Sequence, residues 1–287
     1  MSTAPSLLKE LHLKTTRVHF VNVLVAVDLS ASSANTLKIA ADLAYQHGSR
    51  LIVAHVMDDS GGAAFGSPAE IENRIRLWMK PYLKHDARHA IAVVKGEVIC
   101  EISSLIKKYC ADLLIVGTHA STNVERLVLG SKAEALFRTI SIPVLTIGPH
   151  ARNYRTEFAS ILLPTDLQPD SLRATQYAVA MAEEANATLT LLHVSKKVEG
   201  GDWRESMYSK MQQLVPEDSA LWCKPVFRVE SGDLTETILA TADQARADLI
   251  VLAVTNAQLL VDHAHWSTAS RVVRFAECPV LTVRDHL

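Results

Sequence analysis

Four cysteines are present in these 287 residues, and no Cys-x-x-Cys pair occurs. Cys100, Cys110, Cys223 and Cys278 are scattered along the chain. That excludes the spacing of a zinc ribbon or a dithiol redox motif and fits reduced thiols in the cytoplasm. Basic charge is not in surplus: 29 Lys+Arg stand against 31 Asp+Glu, for a formal net charge of -2. The electrostatic footprint of a nucleic-acid binder is therefore missing. Apolar runs such as Leu249 to Val254 are far too short to span a bilayer. The opening MSTAPSLLKELHLK lacks a basic segment followed by a long apolar core. No signal peptide is read there, no membrane partner is expected, and the expected location is cytoplasmic. His-x-Gly-His and Lys-Met-Ser-Lys, the elements of nucleotidyl transferases, are also absent. No nucleophile–base pair stands out, so the chain is read as a binding protein, with a slow ATPase as the lowest-ranked alternative.

What the chain does have is an apolar content of 48%, enough for two buried cores, and an internal repeat. FVNVLVAVDL (Phe20–Leu29) aligns with FASILLPTDL (Phe158–Leu167) at an offset of 138 residues. The same offset pairs Asp28 with Asp166, Ser33 with Ser171, and His55-Val56 with His193-Val194. Further on the offset becomes 136, pairing Gly96 with Gly232, Gly117 with Ala253, Ser131 with Ser267 and Pro143 with Pro279. The slip falls between about residues 60 and 90, where a surface helix and its loops tolerate length changes. Residues 1–16 have no repeat partner and are read as a tail or short docking helix. The first repeat then occupies 17–149 and the second 150–287, joined by the polar stretch PHARNYRTE.

Each repeat alternates strands with helices, which predicts two tandem doubly wound, Rossmann-like α/β domains with parallel sheets. Val21–Val27 and Leu51–Val56 are rich in β-branched and aliphatic residues without clean alternation, as expected of strands buried on both faces. Leu37, Ala40, Ala41 and Ala44 form one helical stripe between them. Gly48, and Asn186 at the equivalent place, suit a left-handed helix terminus. Ile91–Val94, Leu113–Val116 and Val144–Ile147 supply the remaining strands of the first repeat, and Glu97–Tyr109 a helix between the first two; Val280–Val283 closes the second repeat.

The segment with chemistry in it is GTHASTNVERLVLGSKAE, Gly117 to Glu134. It follows a strand whose carboxyl end faces the ligand edge of such a sheet. Gly117 allows close backbone approach there. Gly130-Ser131 opens a helix, with Ser131 and Glu134 spaced as a capping box, and a helix N-terminus is a ready anion site.

Gly117, Ala120 and Gly130-Ser131 match the spacing of the motif G-x2-G-x9-G-[ST], and with AVDLS and AHV at the first two strands they resemble the universal stress protein family. The resemblance spans nearly the whole chain, twice. It implies an adenine nucleotide, ATP foremost, in the first repeat. Asp28 and Val56 would meet adenine and ribose, and Gly117, Ala120, Gly130 and Ser131 would line ribose and phosphates. Ala120 replaces the second motif glycine. If that position takes positive φ, alanine costs about 1 kcal/mol or more; if phosphate comes close, the methyl crowds it. In the second repeat Ala253, Asn256 and Trp266 occupy the three glycine positions, before Ser267. Asp166 and Val194 remain, and an aspartate at that place can also cap the following helix. This second site is read as degenerate, with Trp266 plugging the cleft or lining a more apolar one and Ser267 a candidate N-cap. The rival reading is a non-nucleotide scaffold, or a sensor of another small ligand, with an unidentified protein partner. The resemblance further implies that the last strands, Val144–Ile147 and Val280–Val283, pair within the chain; association of two such units into a homodimer is left open.

His55 and His193 are read as structural, and His119 as shaping its loop. Two polar clusters, His85/Asp86/His89 and Asp262/His263/His265, lack a zinc-site spacing. Ser60-Gly61-Gly62 is read as loop.

Overall fold

The computed structural model describes residues 19–57, 66–118, 131–151, 157–197, 200–217, 219–254 and 264–284. In the first half they form β1 (Asn22–Ala26), α1 (Ala31–Gln46), β2 (Arg50–Met57), α2 (Pro68–Met79), β3 (His89–Lys95), α3 (Val98–Tyr109), β4 (Leu113–Gly117), α4 (Ser131–Thr139) and β5 (Val144–Ile147). The second half repeats the series: β6 (Ser160–Pro164), α5 (Leu172–Ala185), β7 (Thr188–Ser195), α6 (Gly201–Gln213), β8 (Lys224–Ser231), α7 (Leu234–Gln244), β9 (Leu249–Val254), α8 (Ala264–Phe275) and β10 (Val280–Arg284). The residues 1–16 read as a tail lie outside the described residues.

Local chemistry sets the element ends. Ser30 caps α1 by accepting from Ser33 N at 3.2 Å. Ser67 and Glu70 form a reciprocal capping box at the start of α2, with Pro68 in its first turn. Gly48 (φ +62) and Asn186 (φ +50) take the left-handed conformation expected of them at the ends of α1 and α5. Cys110 (φ +49) and Arg246 (φ +47) do the same after α3 and α7 without any compositional cue.

The strands join into a single ten-stranded sheet in the order β3-β2-β1-β4-β5-β10-β9-β6-β7-β8. Within each half the pairing is parallel. The two halves meet where β10 runs antiparallel to β5, with Leu281 opposite Leu145 and Val280 opposite Thr146. This is the pairing of last strands that the sequence suggested. One apolar layer packs α1, α2, α5 and α6 against one face of the sheet and runs across the junction through Leu145 and Leu281. The other packs α3, α4, α7 and α8 against the opposite face and crosses through Val144 and Val280.

Polar contacts close the junction. Thr282 donates its hydroxyl to Val144 O at 3.2 Å. Ser270 Oγ donates to Glu134 Oε1 at 3.1 Å, and these residues are repeat equivalents, so they meet across the pseudo-twofold axis. The buried Arg284 guanidinium donates to Arg138 O at the end of α4, where a cation complements the helix dipole. Among the described residues no helix is long and apolar enough to cross a membrane.

Candidate functional site

Strand order locates the switch point of each half. From β1 the chain winds outward through β2 to β3, then returns to β4 on the other flank of β1. A crevice therefore opens beyond the carboxyl ends of β1 and β4, the usual ligand position in such sheets. Asp28 stands two residues beyond β1, Val56 lies near the end of β2, and Gly117 ends β4. The structure brings these three expected residues to one edge. Ala120 and Gly130 lie outside the described residues, as does the side chain of Ser131.

Asp28 is held by a compact network. Its Oδ1 accepts from Ser30 N at 2.9 Å and from the Ser33 hydroxyl, while Asp28 N donates to Ser33 Oγ at 3.2 Å. Burial pulls the carboxyl pKa up, but the bonds from Ser30 and Ser33 outweigh it and hold it below the ordinary carboxylate range. The turn is completed by Leu29 at φ +61, a conformation that costs a leucine on the order of 1–2 kcal/mol. Leu29 packs against the α1-side core, which offsets that strain. His55 buttresses the turn from β2: its Nδ1 lies 2.8 Å from Val27 O, so the ring N–H donates to that carbonyl. Its structural reading holds.

A depressed pKa gives a signed prediction. Asp28 stabilises the fold fully above its unfolded-state pKa of about 3.9 and loses that contribution as pH falls through the lower folded value. Asp28→Asn should therefore lower the urea midpoint more at pH 7 than at pH 3, because the carboxylate's contribution shrinks as the pH falls below about 3.9. An equal gap at both pH values would contradict the network as the cause.

Gly117 has a steric reason for being glycine. A Cβ there would come within 2.5 Å of Thr36 Oγ1 on α1. Its φ is not in the left-handed region, so the constraint is steric. In the second copy Ala174 stands where Thr36 does, which makes room for the Cβ of Ala253 at the position of Gly117. The sequence reading missed Thr36. The signal was available in the self-alignment, where the two positions change together.

In the second half the crevice lies between β6 and β9, with Asp166 and Ala253 at their ends and Val194 in β7. Leu167 repeats the positive φ, at +63, and His193 Nδ1 repeats the bond to the strand end, 2.9 Å from Thr165 O. The aspartate differs. Ser171 Oγ turns to Gln168 O (2.8 Å) and Thr165 Oγ1 (3.2 Å), so Asp166 Oδ1 accepts only from Gln168 N at 3.0 Å among these neighbours. Asp166 does not cap the following helix, contrary to that expectation. The chain enters α5 through a 3-10 turn at Pro169–Ser171, which carries the helix start beyond reach of the carboxylate. The N-cap expected of Ser267 is also corrected: α8 already begins at Ala264, placing Ser267 inside it. Asn256 and the side chains of Trp266 and Ser267 lie outside the described residues, so the expected Trp266 plug does too. His119 and the Asp262/His263/His265 group share that status, the side chain of His265 included.

His85, Asp86 and His89 are exposed around the turn into β3. Burial, aided by Asp248, pushes the Cys278 thiol up to about 12, far from nucleophilic at neutral pH. Cys278 lies in a cleft of about 850 Å³ at the amino-terminal ends of β6 and β9, the opposite end of those strands from Asp166. Asp248 in that cleft is engaged by Ala159 N and Ser160 N, both at 3.0 Å, just as Asp112 serves Val21 N and Asn22 N. This is a strand-start brace, repeated in both halves.

The family model for the universal stress protein family matches residues 19–148 and again 157–284. The chain belongs to the universal stress protein family. It is a tandem member, and its relatives include proteins of both lengths. A universal stress protein of Mycolicibacterium smegmatis is 25% identical over 297 aligned positions, covering 92% of this chain and 97% of that protein. Universal stress protein A homolog 1 of Coxiella burnetii is 28% identical over 144 positions, covering 45% of this chain and 97% of its own. The crystal structure of a universal stress protein from Archaeoglobus fulgidus superposes with a TM-score of 0.73 at 19% identity, covering 92% of this chain and 98% of that one, a likeness of fold.

Proposed function

We propose that this tandem universal stress protein is a stress-response binding and regulatory protein whose first copy holds ATP or a related adenine nucleotide. Asp28 and Val56 would face adenine and ribose, and Gly117, Ala120, Gly130 and Ser131 would follow ribose and phosphates. The observation that carries this reading is the ordered, ionised Asp28 at the switch point, side by side with the end of β4 from which the Gly130-Ser131 segment departs. A helix start preceded by glycine suits phosphate, because its free N–H groups and dipole both favour an anion. The second copy, with Asp166, Val194, Ala253, Asn256, Trp266 and Ser267 at the matching positions, is a degenerate partner that completes the sheet. Its weaker hold on Asp166 supports that assignment.

Titration calorimetry of the intact protein tests the reading. ATP should give saturable heat below millimolar concentration, and Gly130→Trp, which copies the second repeat, should weaken binding by about 100-fold or more, or 2.7 kcal/mol. Absence of heat with millimolar ATP would remove the nucleotide and favour the alternative, an interaction scaffold or a sensor of another small ligand.

A further inference from the structure

Four hydroxyls on the helices of this protein satisfy themselves by bonding back one turn. Ser103 donates to Ile99 O at 2.7 Å, Ser104 to Cys100 O at 2.9 Å, Thr175 to Ser171 O at 3.0 Å and Thr241 to Thr237 O at 2.7 Å. Thr36 on α1 does not. It is 1% exposed, and its Oγ1 has no hydrogen-bond partner. That oxygen faces the end of β4, close enough to Gly117 that a Cβ there would collide with it. A buried hydroxyl left unpaired is unfavourable, and buried polar groups in folded proteins are nearly always matched. Here the unmatched atom lies against the carboxyl end of β4 at the switch point, with no Gly117 side chain standing between it and that strand end. The second copy has removed both features, with Ala174 in place of the hydroxyl and Ala253 in place of the glycine.

We propose that the Thr36 hydroxyl is a one-atom hydrogen-bonding subsite at the floor of the first copy's crevice, completed on binding by a neutral oxygen. That oxygen belongs to an ordered water or to the sugar of the nucleotide; the proposal rests on the nucleotide reading above. Thr36 is thus a specificity-determining residue present in one copy and lost from the other. A hydroxyl both donates and accepts without charge, so it suits a water or a sugar hydroxyl better than a phosphate.

The test uses the full chain as Thr36→Val, which keeps the shape and removes the hydroxyl, and Thr36→Ser, which keeps the hydroxyl. Affinity for ATP, 2′-deoxy-ATP and 3′-deoxy-ATP is measured beside the thermal midpoint. Thr36→Val should melt at or above the parent temperature, since an unpaired buried group is gone, yet bind ATP about fivefold or more weakly. Thr36→Ser should bind ATP within twofold of the parent. If a sugar hydroxyl fills the subsite, the parent's penalty for the matching deoxy analogue vanishes in Thr36→Val. If water fills it, the penalty is the same in both; either pattern upholds the subsite. ATP binding by Thr36→Val within twofold of a binding parent overturns it, as does equal loss in Thr36→Ser. A parent that binds no nucleotide sinks the nucleotide reading itself and the subsite with it, before any variant is compared.

Discussion

Replacing Leu281 by aspartate should destabilise the protein by about 4 kcal/mol or more. Leu281 is 1% exposed in β10, opposite Leu145 of β5. Removing a buried leucine costs about 2–5 kcal/mol on its own. An acid in its place must either be buried charged or take up a proton, a further penalty of several kcal/mol. Against a total stability of about 5–15 kcal/mol for an ordinary domain, that is enough to open the junction between the halves. Urea unfolding followed by far-ultraviolet circular dichroism measures it. Leu145→Asp should match it, because the two side chains share one contact. Leu221→Asp is the control, since Leu221 is 77% exposed and its substitution should change stability by less than about 0.5 kcal/mol. A Leu281→Asp variant within 1 kcal/mol of the parent would show that the β5–β10 junction contributes little to the fold.

The second large effect is expected at Gly117. Adding a methyl should cost about 1–3 kcal/mol, because the new Cβ meets a side chain with little freedom to move. Thr36 is β-branched and sits in a helix, where its χ1 is restricted. The double variant Thr36→Ala/Gly117→Ala rebuilds the pair that the second copy already uses, and should recover most of the loss. A double-mutant cycle on urea midpoints should therefore give a coupling of about 1–2 kcal/mol. Additive single effects would mean that Gly117 is glycine for some reason other than Thr36.

The strands and their parallel pairing were legible in the sequence because burial on both faces removes alternation, as at β1 and β2. The left-handed residues Gly48 and Asn186 were legible because each type favours that conformation. Leu29 and Leu167 were not, since leucine has no local preference for positive φ. Their conformation comes from the aspartate beside each, which binds the amide two residues on, and from the core beneath them. The helix start at Ala264 was hidden for a related reason. A serine at a motif position reads as a cap, yet three residues before it the chain is already helical. The placement of Asp28, Val56 and Gly117 along one edge of the sheet follows from the strand topology. The role of Ser33 in holding Asp28, and its loss at Ser171, could be seen only once side-chain directions were known.

The antiparallel junction has a directional consequence. β5 and β10 run opposite ways, and every other pairing is parallel to one or the other, so the carboxyl ends of the two sets of strands lie on opposite rims of one slab. The two crevices therefore open away from each other. A bivalent ligand with a short tether cannot occupy both, and avidity from linking two head groups is lost when the linker cannot span them.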